Sequence, residues 1–372
     1  MIYRTLGGTG YKVSQLGFGA MRLPMTDVND ERVVDRDLAI PMIHRAFEAG
    51  VNYIDSAVGY CNQDSQRAVG EALKGWRDKI VVSTKNHYYG EDEKEWWTHL
   101  ENSLERLDVD YIDIYNHHGI NWKRYVEDVE PRVSKWMRKA HDEGLIKHIC
   151  CSFHDSNEAL IKLVDTGYVE SITLQYNLLY RDLEEGIAHA HDKNVGIVVM
   201  GPVAGGRLGV RSEVLAEMVP GVDRVPELAL RFVLANPNVT LALSGMSTMQ
   251  HVTENTAVAA DEVSLTEGDV ALIREQLERL SEMAKLYCTG CEYCMPCPQG
   301  VKIPRIFELY NLGQVYGLWG VAREGYARMP ERRDGGKQAD ECIECGECEE
   351  KCPQNIEIRE QLKAAHAALT AS

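Results

Sequence analysis

The first 285 residues alternate short apolar runs, rich in β-branched residues, with longer amphipathic runs. The short runs predict eight strands, at residues 15–21, 52–57, 79–85, 111–119, 146–153, 171–177, 196–202 and 239–245. The runs between them have helical spacing, and several close on glycine, as helix C-termini often do. Strands that alternate with helices indicate right-handed βαβ units and a parallel sheet. Eight such units favour a closed (β/α)8 barrel, the TIM-barrel architecture.

A doubly wound parallel sheet is the competing fold. Such a sheet would be favoured by a GxGxxG motif after an early strand, and the sequence has none. The glycines between Gly7 and Gly10 instead predict the turn of an N-terminal hairpin. The pattern therefore favours the closed barrel.

The chain divides into a large and a small part. A last amphipathic helix is predicted over 266–286, where Thr266 and Asp269 form a capping box. Beyond this helix the apolar strand pattern stops and a cysteine-rich pattern begins. We therefore expect a barrel domain over residues 1–285 and a small cysteine-rich domain over residues 286–372.

Composition narrows the partners and the compartment. The formal net charge of −17 argues against nucleic acid or an anionic membrane as a partner. No run of about 18 apolar residues is present, so no membrane-spanning helix is expected. The N-terminal segment lacks the apolar core of a signal peptide. These features predict a cytoplasmic protein.

Eight of the 11 cysteines form two tight groups near the C-terminus. The groups are Cys288, Cys291, Cys294 and Cys297, and Cys342, Cys345, Cys348 and Cys352. In a cytoplasmic chain such groups indicate metal more often than disulfides. Three cysteines at two-residue gaps, with a fourth before proline, are typical of 4Fe–4S ligation, whereas zinc sites more often use paired C-x2-C motifs. The spacing therefore predicts two 4Fe–4S clusters, with zinc as the rival.

The motif rule assigns ligands to each cluster, because the cysteine before proline usually serves the other cluster. One cluster then takes Cys288, Cys291, Cys294 and Cys352, and the other takes Cys342, Cys345, Cys348 and Cys297. The first group has two residues rather than three before its last cysteine, which leaves a self-contained site on that group open. The wide separation of the groups, with helical character between them, resembles the α-helical ferredoxins. The remaining cysteines, Cys61, Cys150 and Cys151, are expected to act as small apolar residues.

Four polar residues lie at or just after the ends of successive predicted strands. Asp55 ends the second strand, Tyr60 follows it, Lys85 ends the third and His118 ends the fourth. A barrel places its chemistry at the C-terminal ends of its strands, so these side chains are the candidate catalytic residues. A phenol has a pKa near 10, and a neighbouring ammonium lowers it toward the range of useful proton transfer.

The segments that contain these residues resemble the aldo/keto reductases. They read NYIDSAVGYCNQDSQRAVGEALKG, VVSTKN and YIDIYNHHG, and they match in order and spacing within a similarity over about residues 1–285. The resemblance implies Tyr60 as the general acid or base, Lys85 as its cationic neighbour and Asp55 as the partner of Lys85. His118 would orient the carbonyl or assist proton transfer. It is selected over His117 because side chains alternate along a strand and because the family has a His-Gly pairing.

The same resemblance implies a nicotinamide dinucleotide, NADPH or NADH, at the ends of the seventh and eighth strands. The glycine-rich stretch GPVAGGRL ends the seventh strand, and the eighth ends just before a helix N-terminus, which suits a phosphate. The implied cofactor residues are Ser152, Gln175, Gly201, Gly205, Gly245, Ser247, Thr248, Gln250, Glu254 and Asn255. Met200 stands where many members have a stacking aromatic residue, and the usual Lys/Arg pair for the 2′-phosphate is missing, so the choice of nicotinamide stays open.

The resemblance implies an oxidoreductase that transfers a hydride to a small-molecule carbonyl or from an alcohol. The clusters would then relay electrons to or from a redox partner protein, or act structurally. A hydride carries two electrons and each cluster passes one, so coupling needs a flavin or radical intermediate, for which the sequence shows no site. The alternative is an electron-transfer or regulatory subunit with a non-catalytic barrel.

Overall fold

The computed structural model describes most of the chain. The described residues are 1–209, 211–219, 221–222, 224–260, 265–285, 288, 292, 294–331, 336–352 and 356–371.

Eight parallel strands close into a barrel, which confirms the predicted (β/α)8 fold. Around the barrel their order is β10, β11, β12, β3, β6, β7, β8, β9 and back to β10. The bounds are β3 Leu16–Gly19, β6 Tyr53–Asp55, β7 Val81–Asn86, β8 Ile112–Ile120, β9 Ile146–Phe153, β10 Ser171–Gln175, β11 Gly196–Met200 and β12 Leu241–Ser244. Each predicted strand overlaps one of these. Apolar side chains, many of them β-branched or aromatic, fill most of their buried positions.

Two hairpins lie outside the barrel sheet. β1 (Tyr3–Thr5) pairs with β2 (Lys12–Ser14) around the predicted glycine turn, and β4 (Met25–Val28) pairs with β5 (Glu31–Val34). At Gly7 φ is +47°, and an added Cβ would lie 2.2 Å from the backbone N of Gly196, so only glycine fits. The first hairpin therefore packs against the N-terminal end of β11.

Helices cover the barrel and form most of the C-terminal part. They are α1 Arg36–Glu48, α2 Ser65–Leu73, α3 Glu93–Leu107, α4 Trp122–Arg124, a π-helix Tyr125–Val133, α5 Ser134–Asp142, α6 Asn157–Asp165, α7 Glu184–Asp192, α8 Glu213–Ala216, α9 Val225–Ala235, α10 Met249–Ala260, α11 Glu267–Lys285, α12 Ile303–Gln314, α13 Trp319–Ala327, α14 Glu347–Glu350 and α15 Ile358–Thr370. Short 3₁₀ helices span Gly7–Thr9, Ala20–Arg22, Arg77–Lys79, Ala204–Gly209, Met329–Glu331 and Ala339–Glu341.

The predicted capping box begins α11. The Thr266 N–H donates to Asp269 Oδ2 at 2.9 Å, and the Asp269 N–H donates to Thr266 Oγ1 at 3.2 Å. Two N–H groups that have no partner within the helix are thereby satisfied.

The chain forms two compact units. The first comprises Met1–Gly205 and Ala229–Leu265, and the second comprises Gly206–Leu228 and Thr266–Ser372. Within the second unit, Ser212 Oγ donates a 2.7 Å hydrogen bond to the carbonyl of Tyr316, which ties the segment after β11 to the C-terminal helices. The second unit thus includes α11, whereas the sequence-based boundary, which stays a prediction, lies after residue 285.

Candidate active site

The barrel register brings three strand ends together at one rim. Asp55, the last residue of β6, pairs with Ser83 of β7, and Lys85 lies two residues further along. Lys85 Nζ donates to Asp55 Oδ2 at 2.5 Å and to the carbonyl of Ser56 at 2.8 Å. Ser83 Oγ donates to the other Asp55 oxygen at 2.8 Å. Both charged side chains are almost fully buried, so this ion pair is held within a low-dielectric environment.

Tyr60 lies directly over this pair. Lys85 Nζ is 4.8 Å from the centroid of the Tyr60 ring, and the ring of His118 is 6.4 Å away at a nearly perpendicular angle. The structure therefore brings all four predicted catalytic residues into one cluster.

An unusual turn holds Tyr60 in this place. The three residues after it, Cys61, Asn62 and Gln63, all have positive φ, between 50° and 69°. Non-glycine residues adopt this conformation only when their surroundings impose it. Asp64 closes the turn, because its carboxylate accepts the N–H of Val34 at 2.8 Å and pairs with Arg36.

Burial and charge act in opposite directions on Tyr60. Burial raises the pKa of its hydroxyl above the ordinary value, the Lys85 charge lowers it and the Asp55 charge raises it again. The net pKa is raised, so the expected lowering by Lys85 operates but is outweighed. For Lys85 itself, burial disfavours the charged form and lowers the pKa of the ammonium. The negative charge of Asp55 outweighs this effect, so the pKa of Lys85 is raised overall. Lys85 is therefore charged and Tyr60 protonated at neutral pH.

The two adjacent histidines of β8 face different surroundings. His118 lies beside Tyr60, and its pKa is lowered to about 4 by burial and by the neighbouring charges of Lys85 and two other histidines. His117 is fully buried on the opposite side of the strand, where its Nε2 lies 2.9 Å from the hydroxyl of Tyr168. Strand alternation thus places His118, and not His117, at the rim.

The ends of β11 and β12 contain the predicted phosphate-side residues. Gly201 and Gly205 both have positive φ, as expected for a close backbone turn. Ser247 and Thr248 precede α10 directly, and Gly245 follows β12. These positions combine accessible backbone with a helix N-terminus.

Arg22 lies at the same place and was missed by the sequence reasoning. A Cβ added at Gly245 would lie 3.5 Å from Arg22 Cδ, and one at Gly205 would lie 3.8 Å from Arg22 Nη2. The side chain therefore extends across the ends of β12 and β11. Its position in the sequence could have indicated a rim residue, because Arg22 follows the first barrel strand by three residues.

The other predicted cofactor residues are spread around the rim. Ser152 is buried near the end of β9, where its Oγ accepts the N–H of Gly119 at 2.8 Å, and Gln175 ends β10. Asn255 Nδ2 donates to Ser244 Oγ at 2.9 Å, which ties α10 to β12. Gln250 and Glu254 lie on the exposed face of α10 and bond to each other at 2.9 Å.

A cavity of about 400 Å³ opens beside His118. Its lining comprises Val58, Gly59, Gln63, His87, His99, Asn102, Arg106 and His118. Apart from His118, the sequence reasoning singled out none of these residues, although His99, Asn102 and Arg106 share one face of α3 at helical spacing.

A smaller cavity in the second unit contains cysteines from both predicted groups. Its lining includes Cys294, Cys297, Cys342, Cys345 and Cys348. The backbone turns around it at Glu344 and Gly346, where φ is positive, and the Glu344 N–H donates to Cys342 Sγ at 3.4 Å. Amide-to-sulfur bonds of this kind accompany iron-sulfur ligation. Burial raises the pKa of Cys348, and the thiols of Cys342 and Cys345 raise it further.

The other three predicted cluster cysteines are Cys288, Cys291 and Cys352. Cys288 and Cys352 do not line this cavity, and Cys291 lies outside the described residues. Among the residues that the structure describes, no three His, Cys, Asp or Glu side chains converge in a geometry that holds a metal ion. Cys150 and Cys151 are buried in β9, and Cys61 is half-buried beside Tyr60.

None of the described helices is both long and apolar enough to cross a membrane.

Comparison with known proteins identifies both parts of the chain. Residues 15–217, more than half of the chain, match the model of the aldo/keto reductase family, and residues 287–357 match a 4Fe–4S dicluster domain.

Relatives align over about three quarters of this chain. The uncharacterized oxidoreductase YqkF of Bacillus subtilis is 25% identical over 74% of this chain and 96% of its own length. L-galactose dehydrogenase of Arabidopsis thaliana is 27% identical over 75% and 96%, and the NADH-specific methylglyoxal reductase of Escherichia coli is 26% identical over 74% and 98%.

A solved structure matches in the same way. The holo form of the aldo-keto reductase AKR11C1 from Bacillus halodurans superposes with a TM-score of 0.65, at 28% identity over 74% of this chain and 96% of its own. The chain therefore belongs to the aldo/keto reductase family, as an oxidoreductase with a 4Fe–4S dicluster domain in its C-terminal part.

Proposed function

We propose that the barrel reduces a small-molecule carbonyl, or oxidises the matching alcohol, with NADPH or NADH, and that Asp55, Tyr60, Lys85 and His118 are its catalytic residues. The observation that carries this proposal is the buried ion pair of Lys85 and Asp55, with the ammonium 4.8 Å from the Tyr60 ring centroid. A phenol and a fixed cation at the C-terminal rim of a barrel are suited to proton transfer at a carbonyl oxygen.

The residues at the ends of β11 and β12 fit a nicotinamide dinucleotide. Gly201 and Gly205 permit close approach of a ligand to the backbone, and the N-terminus of α10 attracts a phosphate. Arg22 adds a cation across Gly205 and Gly245. We propose that the ten cofactor residues implied by the sequence, together with Arg22, form the binding site of the dinucleotide. When bound, the cofactor donates a hydride to the carbonyl carbon or accepts one from the alcohol.

The chain's own residues then supply the proton. In reduction, the Tyr60 hydroxyl donates its proton to the carbonyl oxygen as that oxygen gains negative charge, and solvent returns a proton to Tyr60 afterwards. Lys85 stabilises the phenolate left behind, and Asp55 keeps Lys85 charged and in place. In alcohol oxidation the phenolate accepts the proton instead. His118, neutral above its low pKa, is suited to donating a hydrogen bond to the carbonyl oxygen.

We also propose two 4Fe–4S clusters in the C-terminal part. Cys294 and Cys297 line one cavity together with Cys342, Cys345 and Cys348, so thiols of both groups lie close together, as the crossed ligand set requires. Cys288, Cys291, Cys294 and Cys352 would hold the second cluster. Thiol-rich ligation of this kind fits a reducing compartment, so we propose a cytoplasmic location.

The clusters could act as electron carriers or as structural groups, and one absorbance measurement distinguishes these two roles. As electron carriers, they would pass single electrons to or from a redox partner protein, and a flavin or radical intermediate would have to split the two-electron hydride; their absorbance would then change during turnover. As structural groups, they would stay oxidised while carbonyl turnover proceeds. Absorbance of the clusters during anaerobic turnover measures the difference.

The replacement Tyr60→Phe tests the catalytic proposal. It removes only the hydroxyl, so we expect carbonyl turnover to fall about 100- to 10,000-fold while the affinity for NADPH or NADH stays within twofold of the original. The matched control is Tyr3→Phe, an exposed tyrosine on β1 whose hydroxyl donates to the carbonyl of Gly50. Full turnover in the Tyr60 variant would contradict the proposal.

A further inference from the structure

The cavity beside His118 is lined mostly by residues with polar side chains. One wall is the loop after β6, with Val58, Gly59 and Gln63, and another contains His87, which follows β7. The remaining wall is a face of α3. Apart from Val58 and Gly59, each lining residue has a side chain that can form hydrogen bonds.

The face of α3 places three polar side chains in a row. His99, Asn102 and Arg106 are separated by three and four residues, which puts them one above another on the helix. Helix side chains lean toward the helix N-terminus, and α3 begins just after the rim end of β7. The Arg106 side chain is therefore expected to lean from the last turn of α3 toward the rim end of the helix, and Arg106 and His118 line the same cavity.

The charge of this lining is positive. Arg106 is its one permanently charged group, and no carboxylate belongs to it. Glu95, one turn before His99, is exposed and lies outside the lining. Burial lowers the pKa of His99 and of His118, so these two rings are neutral at neutral pH and can each donate one hydrogen bond.

Arg106 also has an unused donor. Its Nη1 atom is buried, and among the described residues no hydrogen-bond acceptor contacts it. A buried guanidinium donor without an acceptor is costly, and an oxyanion in the cavity would satisfy it. The neutral donors of His99 and Asn102 lie on the same face and would complete the contacts.

We infer that this cavity binds an anionic group, a carboxylate or a phosphate, that the carbonyl substrate carries. The inference rests on the proposed function, because His118 belongs both to the cavity and to the catalytic cluster. It defines the substrate class as a carbonyl compound with an oxyanion at its far end. The formal net charge of −17 makes the preference informative, since the protein's overall field disfavours anions.

Two pairs of aldehydes test the inference on the complete protein. The first pair is 4-carboxybenzaldehyde and its neutral methyl ester, methyl 4-formylbenzoate. The second pair is glyceraldehyde 3-phosphate and glyceraldehyde. We expect kcat/KM to favour the charged member of at least one pair about tenfold or more, because hydrogen bonds to charged groups are the strong ones. Preference in the first pair alone identifies a carboxylate, and preference in the second alone identifies a phosphate.

Variants of Arg106 locate the preference. Arg106→Gln should reduce the charged-to-neutral ratio of kcat/KM about tenfold, and Arg106→Lys, which keeps a charge but loses the planar fork, should reduce it less. The matched control is Arg67→Gln on α2, an exposed position that loses the same charge and should keep the original ratio. If Arg106→Gln does not fold, the inference is tested by the charged-to-neutral ratio of kcat/KM in the original protein and in the Arg106→Lys variant.

The outcomes separate the two proposals. Equal kcat/KM for both members of each pair, or a ratio that Arg106→Gln leaves unchanged, would overturn the anion site alone. Failure of all four aldehydes to be reduced, with NADPH and NADH bound, would overturn the proposed function and this inference with it.

Discussion

The barrel rim and the cysteine-lined cavity assemble their chemical groups in different ways. At the rim, Asp55 and His118 are 63 residues apart in the chain, and only the parallel register of β6, β7 and β8 brings them together. In the C-terminal part, three of the thiols come from one segment in which cysteines recur every third residue. The rim groups are mostly buried and hold one another by hydrogen bonds, whereas the thiols are half-exposed or exposed.

The barrel rim and the cysteine-lined cavity therefore depend on different properties of their side chains. The rim depends on the electrostatics of a buried ion pair, so one wrong side chain there disturbs the fold and the chemistry together. A cluster depends on the number of its ligands, so loss of one thiol acts on one cluster. Single replacements should therefore act differently in the two regions.

The largest expected effect is that of Lys85→Met. It leaves the buried carboxylate of Asp55 without its cation, so the free energy of unfolding should fall by about 3–5 kcal/mol and carbonyl turnover about a thousandfold. Urea unfolding and steady-state kinetics measure the two changes. The control is Lys123→Met, an exposed lysine on α4, for which both should change little. An unchanged stability for Lys85→Met would mean that the ion pair does not matter to the fold.

A smaller effect is expected from a matched pair of cysteine replacements. Cys348→Ser should halve the iron content, from about eight to about four atoms per chain, because one of the two proposed cubanes would be lost. Cys151→Ser, in the barrel strand β9, should leave the iron content unchanged and destabilise the buried core modestly. Iron analysis after anaerobic purification gives both values. Loss of zinc instead of iron, or equal loss in both variants, would contradict the assignment of these thiols to a cluster.

The smallest effect is expected from pH. The pKa of His118 is lowered to about 4 and that of Tyr60 is raised above its ordinary value near 10. Reduction needs His118 neutral and Tyr60 protonated, so kcat/KM should vary by less than about twofold between pH 5 and 9 and fall only below or above that window. A step near the ordinary histidine pKa of about 6.5 would show that His118 is not desolvated as described.

Much of this molecule could be predicted from its sequence where the signal is local. Alternation of apolar runs located all eight strands. Strand-end logic selected Asp55, Lys85 and His118 as candidates, because each lies in the last three residues of its own strand. The capping box at Thr266 is likewise a signal within four residues.

Features that depend on several elements could not be predicted. The net pKa of Tyr60 reflects a balance of burial against two opposing charges, which spacing does not reveal. Arg106 became a candidate only when α3, the loop after β6 and the end of β8 were seen to enclose one cavity. The inclusion of residues 206–228 in the second unit arises from contacts with distant helices, such as that of Ser212 with Tyr316.

Transfer of deuterium tests the central claim most directly. The protein is purified anaerobically and given an aldehyde with NADPH or NADH that carries deuterium on the transferable position of the nicotinamide ring. The account predicts an alcohol with one deuterium on the former carbonyl carbon, and almost none of this product from the Tyr60→Phe variant. Alcohol that forms without deuterium, or with equal yield in the variant, would contradict direct hydride transfer at this rim.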